Sequence, residues 1–87
     1  MPIVVEYLAR VTHAPLFDNY VVCMFLSGPY SYNRRESVTF SLTAEVWNEK
    51  GRPLRGLEVI LSDVRKTENG WRAYSARFRR LEDQFDS

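Results

Sequence analysis

From Ser37 apolar and polar side chains alternate as far as Val46, until Trp47 falls on the polar phase. Val38, Phe40, Leu42, Ala44 and Val46 fall on one phase; Ser37, Thr39, Ser41, Thr43, Glu45 and Trp47 fall on the other. Successive side chains of an extended strand point to opposite faces, so the pattern describes a strand with one dry face and one wet one. Nowhere do apolar residues recur at spacings of three and four over ten or more positions, which excludes a long helix. At most a helical turn is expected, near Ala14–Phe17 or at the C-terminus.

The same period of two marks four further strands. Pro2 to Thr12 sets Ile3, Val5, Tyr7, Ala9 and Val11 against Glu6, Arg10 and Thr12. A turn segment, HAPLFDN, leads to the β-branched and aromatic run from Tyr20 to Leu26, a more fully buried strand. Ser27 to Asn33 reads as an exposed loop, and Asn48 to Pro53 breaks the pattern again with Gly51 and Pro53. Leu54 to Val64 resumes it, with Leu57, Val59 and Leu61 in phase. Asn69-Gly70 is the strongest short turn signal, since both residues accept positive φ. The last strand, Trp71 to Leu81, is expected to turn Tyr74, Ala76 and Phe78 inward and Trp71, Ala73, Ser75, Arg77 and Arg79 outward.

Five strands on short connections in 87 residues make one core and not two. A chain of this size buries only about 60% of its unfolded surface. Hydrophobic residues form 45% of the composition and aromatics 14%, enough to fill a small barrel. The expected fold is all-β, a closed five-stranded antiparallel barrel over residues 1–82 followed by a short acidic tail, 83–87. An open meander that dimerises through its edge is the alternative.

Charge and chemistry narrow the function. Twelve Lys and Arg against eleven Asp and Glu leave a net charge of +1, so an anionic partner has to be held by a local patch. The single cysteine, Cys23, has no intrachain disulfide partner, and no secretory leader or membrane-length apolar run is visible. The cytosol is the expected compartment. Cys23 and the sole histidine, His13, are the residue types of a nucleophile and its base, but a lone cysteine inside YVVCMF reads as a small hydrophobe. One Cys and one His make no zinc ligand set. No enzyme activity, cofactor or metal is expected.

Aromatics interleaved with cations form the remaining pattern. Tyr30, Tyr32, Arg34 and Arg35 share one loop; Trp47, Lys50, Arg52 and Arg55 surround the next break; Lys66, Trp71 and Arg72 flank the final turn. Base stacking on such rings contributes about 1 to 3 kcal/mol per base while cations follow phosphates. These eleven residues are the candidate nucleic-acid-binding set. Glu36, Glu49, Asp63 and Glu68 lie close by in sequence and dilute the positive charge.

VVEYLARVTHAPLF and KGRPLRGLEVILSDVRKTENGWRAYSARFRRLED together resemble the single-stranded-DNA-binding protein superfamily, including its primosomal replication protein B branch. The first segment is similar to that family's opening strand and proline turn, the second to its final hairpin. The resemblance implies an OB-like barrel that binds single-stranded DNA, commonly as a homo-oligomer. The chain departs from the family where a helix is usually inserted, since Trp47 to Leu54 leaves no room for one. EDQFDS stands in place of the long tail.

Two smaller resemblances point elsewhere. MPIVV is similar to the opening of the tautomerase family, whose amino-terminal proline, here Pro2, is a general base; that family continues into an amphipathic helix and this chain into a turn and a strand. NRRESVTFSLTAEV followed by GRPLRG resembles the PilZ barrel, but Val38 or Thr39 stands where the second nucleotide-loop arginine belongs. The leading expectation is a non-enzymatic module that binds single-stranded nucleic acid. The competing one is a protein-interaction, inhibitor or adaptor module, of the phage- or plasmid-encoded kind or a degenerate PilZ-like barrel, acting through a sheet edge or a mixed-charge face, with a homodimer allowed in either case.

Overall fold

The computed structural model describes residues 5–27 and 36–83. Five strands, β1 (Glu6–His13), β2 (Tyr20–Ser27), β3 (Ser37–Ser41), β4 (Glu58–Thr67) and β5 (Gly70–Phe78), close into a barrel in the order β1-β2-β3-β5-β4, with β4 returning to β1. Among the described residues there is no helix, and hence none long and apolar enough to cross a membrane. This is the expected OB-like barrel. Every strand has two neighbours, so the open meander is overturned.

One pairing is not antiparallel. β5 runs parallel to β3, through Val38 opposite Trp71 and Thr39 opposite Arg72. The reason lies in the connection across residues 42–57. It carries the chain over one end of the barrel so that β4 pairs with β1, and β5, folding back from β4, meets β3 running in the same direction.

The inward phases of the first two strands follow the sequence pattern. Tyr7, Ala9 and Val11 from β1 and Val21, Cys23 and Phe25 from β2 are buried, as are Val38, Phe40, Val59 and Leu61 from the strands beside them. The outward phase of β2 stays half-buried, apart from an exposed Tyr20, so this strand is wetter than expected. Register shifts in β1 at Leu8/Ala9 and Val11/His13 add local twist, which a five-stranded barrel requires.

The strand with the clearest pattern is the shortest. β3 stops at Ser41, and a single turn follows, with the Val46 and Trp47 N–H groups donating to the Thr43 carbonyl at 3.0 and 2.8 Å. The turn rotates the phase, so that Trp47, expected outward, is only 6% exposed. Its ring lies stacked at 5.5 Å on Phe40 and edge-on at 4.7 Å to Phe78, and its indole N–H donates to the Gly51 carbonyl at 2.9 Å. An open barrel end needs a large apolar plug, and burying such a ring contributes roughly 1.5 to 3 kcal/mol for a Phe-sized side chain.

β4 likewise starts at Glu58, later than expected, with Leu57 exposed before it. The β4–β5 hairpin turns at Glu68 and Asn69, with Thr67 opposite Gly70. Only Gly70 takes positive φ (109°); Asn69 does not, and the Thr67 hydroxyl closes the turn by accepting from the Asn69 N–H at 3.2 Å. Further along, the inward phase slips by one residue in both strands, from Leu61 to Val64 in β4 and from Ala73 to Ala76 in β5. Asp63 lies at the slip with φ 52°. Ala76 and Phe78 therefore face inward as expected, whereas Trp71 and Ala73 turn in and Tyr74 turns out, the reverse of the sequence expectation.

Candidate nucleic-acid interface

Strand register sorts the candidate residues onto opposite ends of the barrel. Ser37 pairs with Met24, and Val38 with Trp71, so the β4–β5 hairpin with Lys66, Trp71 and Arg72 belongs to the end where β3 begins. Ser41 pairs with Tyr20, and the Leu42 N–H donates to the Asn19 carbonyl, so the β1–β2 loop and the connection with Trp47, Lys50, Arg52 and Arg55 belong to the other end. Tyr30, Tyr32, Arg34 and Arg35 lie outside the described residues.

Among the described candidates, those of the hairpin group are brought together. Across the outside of the barrel the register aligns His13, Val22, Thr39, Arg72 and Arg65 in one row over all five strands. Beside this row the Tyr74 ring is 36% exposed, with the Arg65 guanidinium 4.6 Å and the Arg72 guanidinium 5.9 Å from its centroid. Asp63 holds Arg65 by two hydrogen bonds of 2.9 and 3.0 Å, which fixes the guanidinium over the ring and cancels its charge. Arg72 donates to the Ser41 hydroxyl, and among the described residues no carboxylate pairs with it.

The hairpin adds a second cation and ring. The Lys66 ammonium is 5.0 Å from the Trp71 ring, whose indole N–H donates to the Glu36 carboxylate. Trp71 is half-buried, packing its edge 6.2 Å from Phe25. The ring is thus anchored from below and roofed by a cation.

At the far end Trp47 and Arg52 serve the fold. Trp47 is part of the core. Arg52 donates to the Pro15 and Asp18 carbonyls at 2.6 and 3.1 Å, clasping the β1–β2 loop. Lys50 and Arg55 are exposed and sit on the connection. The wall formed by β1, β4 and the end of β5 is electrically balanced: Glu58 accepts from both Arg79 and Arg10, Arg77 binds Asp83 and Glu6, and Arg80 binds Glu49. The Arg79 guanidinium, ahead of Arg10, holds the Glu58 carboxyl below its ordinary range. Arg77 and then the Arg80 N–H hold Asp83 lower still, so the expected tail is pinned at its first residue.

Cys23 is fully buried, and burial alone pushes its thiol up to about 12, far from a nucleophile at neutral pH. His13 is exposed at the end of β1. Tyr74 was missed in the sequence because its phase was taken from Ala76 and Phe78 beyond the slip. A signal existed: counting outward from the turn sets Arg65 opposite Arg72, which puts Tyr74 next to both on the wet face.

Fold and face together define a class, a five-stranded OB-like barrel with the Tyr74 ring and the Arg65 and Arg72 guanidinium groups on its outer face. No family model, curated protein or solved structure matches the chain.

Proposed function

We propose that the chain is a non-enzymatic module that binds single-stranded nucleic acid in the cytosol, across the outer face of β3 and the β4–β5 hairpin. The observation that carries this reading is the exposed Tyr74 ring between two guanidinium groups on the outer face, with Lys66 over the half-buried Trp71 ring at the hairpin end. A base stacks on the tyrosine, and Arg72 and Lys66, the cations there without a carboxylate partner among the described residues, take the phosphates. OB-like barrels offer strands two and three and the loop between strands four and five for this purpose. β2 ends at Ser27 and β3 begins at Ser37, both at the hairpin's end of the barrel.

Titration of tryptophan emission with oligonucleotides tests the reading. Binding at low ionic strength is expected to quench Trp71 and to weaken with salt at a log–log slope of about −1.4, from about 0.7 for each of two neutralised phosphates. Absence of salt-sensitive binding rules it out.

The balanced wall of Arg10, Glu58, Arg77, Arg79 and Asp83 favours a second reading, a protein-interaction module working through a mixed-charge face. A partner that stays bound after nuclease treatment supports direct protein contact.

A further inference from the structure

Four side chains of the β4–β5 hairpin stand at the corners of a square on the outer face. Ser62 pairs with Ser75 and Val64 with Ala73, so Asp63 comes opposite Tyr74, as Arg65 comes opposite Arg72. Directly opposed side chains start about 5 Å apart. Three corners already have a part in the face: the ring, the Arg65 guanidinium 4.6 Å from its centroid, and Arg72. Asp63 is the fourth. A carboxylate beside a stacking ring repels the phosphates that its neighbours attract, and this one sits on a left-handed φ of 52°, uncommon outside glycine. Backbone strain of this kind gathers at binding sites.

Hydrogen bonding defines what the carboxylate can do. Ionised, it offers about four acceptor sites, of which Arg65 occupies one on each oxygen, at 2.9 and 3.0 Å. The Asp63 side chain is 49% exposed, so acceptor sites remain open to a ligand. Arg65, 63% exposed, uses two N–H groups on Asp63 and keeps about three more. A locked acceptor and a locked donor thus stand side by side next to the ring. Cytosine, adenine and guanine each carry an exocyclic amino group, which donates to a carboxylate, beside a ring nitrogen that accepts. Thymine and uracil lack the amino group, and their N3–H is flanked by two carbonyl oxygens that a carboxylate repels.

We propose that the Asp63–Arg65 pair reads the base stacked on Tyr74, so that the face selects single strands with amino-bearing bases over runs of thymine or uracil. This selection rests on the nucleic-acid reading of the face and names its substrate class. The carboxylate accepts from the amino group while a free N–H of Arg65 donates to the adjoining ring nitrogen. Tyr74 stacks any base; Asp63 makes the choice.

Fluorescence titration of the full chain with single strands of about twelve nucleotides, a length that fills such a barrel's site, tests this. Deoxycytidine and deoxyuridine runs are compared at neutral pH and low salt, because their bases differ only along the edge that carries the amino group. The deoxycytidine run is expected to bind about tenfold more tightly, the contribution of one hydrogen bond to a charged group. Asp63→Asn keeps the backbone, since asparagine shares aspartate's tolerance of positive φ, and should bring the two affinities to within about twofold. Asp63→Gly, which relaxes φ altogether, should do the same, so that lost selectivity is separated from a distorted turn of the strand. Equal binding of the two runs by the wild type, or an unchanged preference in both variants, overturns the proposal and leaves the nucleic-acid reading standing. If neither run binds, both fall.

Discussion

Trp47 and Tyr74 exchange the places that the sequence pattern gives them, and the exchange separates stability from binding. Trp47→Ala is expected to cost about 3 to 5 kcal/mol in urea unfolding, because it empties the site between Phe40 and Phe78 and leaves the Gly51 carbonyl without its donor. Tyr74→Ala should cost less than about 1 kcal/mol in stability yet weaken oligonucleotide binding about tenfold, through the lost stack. Comparable stability losses in the two variants would refute this division. Of the sequence candidates, Lys66, Trp71 and Arg72 come together because one hairpin holds them; Trp47 and Arg52 do not, because the barrel end needs a plug and the β1–β2 loop needs a clasp.

Among the elements, those whose pattern and neighbours agree were legible from sequence alone. β1 and β2 have inward phases that local alternation marks correctly, and β4 is right over Val59 and Leu61. β3 misled because alternation reports only which side chains prefer burial, and the turn at Thr43–Val46 satisfies Phe40 and Trp47 together while a straight strand satisfies one. The slip at Asp63 was invisible for a similar reason: it is fixed by the bend that lets one hairpin pair with both β1 and β3. The turn before β5 depends on one residue. Space around a Gly70 side chain is open, so Gly70→Ala is penalised by conformation only. At φ 109° a loss of about 1 to 2 kcal/mol is expected, read from the shift in thermal midpoint. An unchanged midpoint would show that the turn can relax to another type.

For the molecule as a whole, a net charge of +1 hides an uneven distribution. Most described arginines on one wall are paired with carboxylates, and Arg72 and Lys66 on the other are not. The pairing makes stability acid-sensitive. Glu58 and Asp83 bind protons less readily folded than unfolded, so their contribution is complete above the unfolded carboxyl range, about pH 4, and is lost as pH falls below it. Denaturant midpoints should fall between about pH 5 and pH 2.5, and Asp83→Asn should flatten that slope; a variant with the wild-type slope would place the acid sensitivity elsewhere.

The seam between β3 and β5 is paired at only two positions, and it joins residues more than thirty apart in the chain. On a ribosome, then, no part of the barrel can close before the last strand has emerged. Until that moment β3 and β4 both present an unsatisfied edge, and a chain cut short before Gly70 is left with two sticky borders in place of a cylinder.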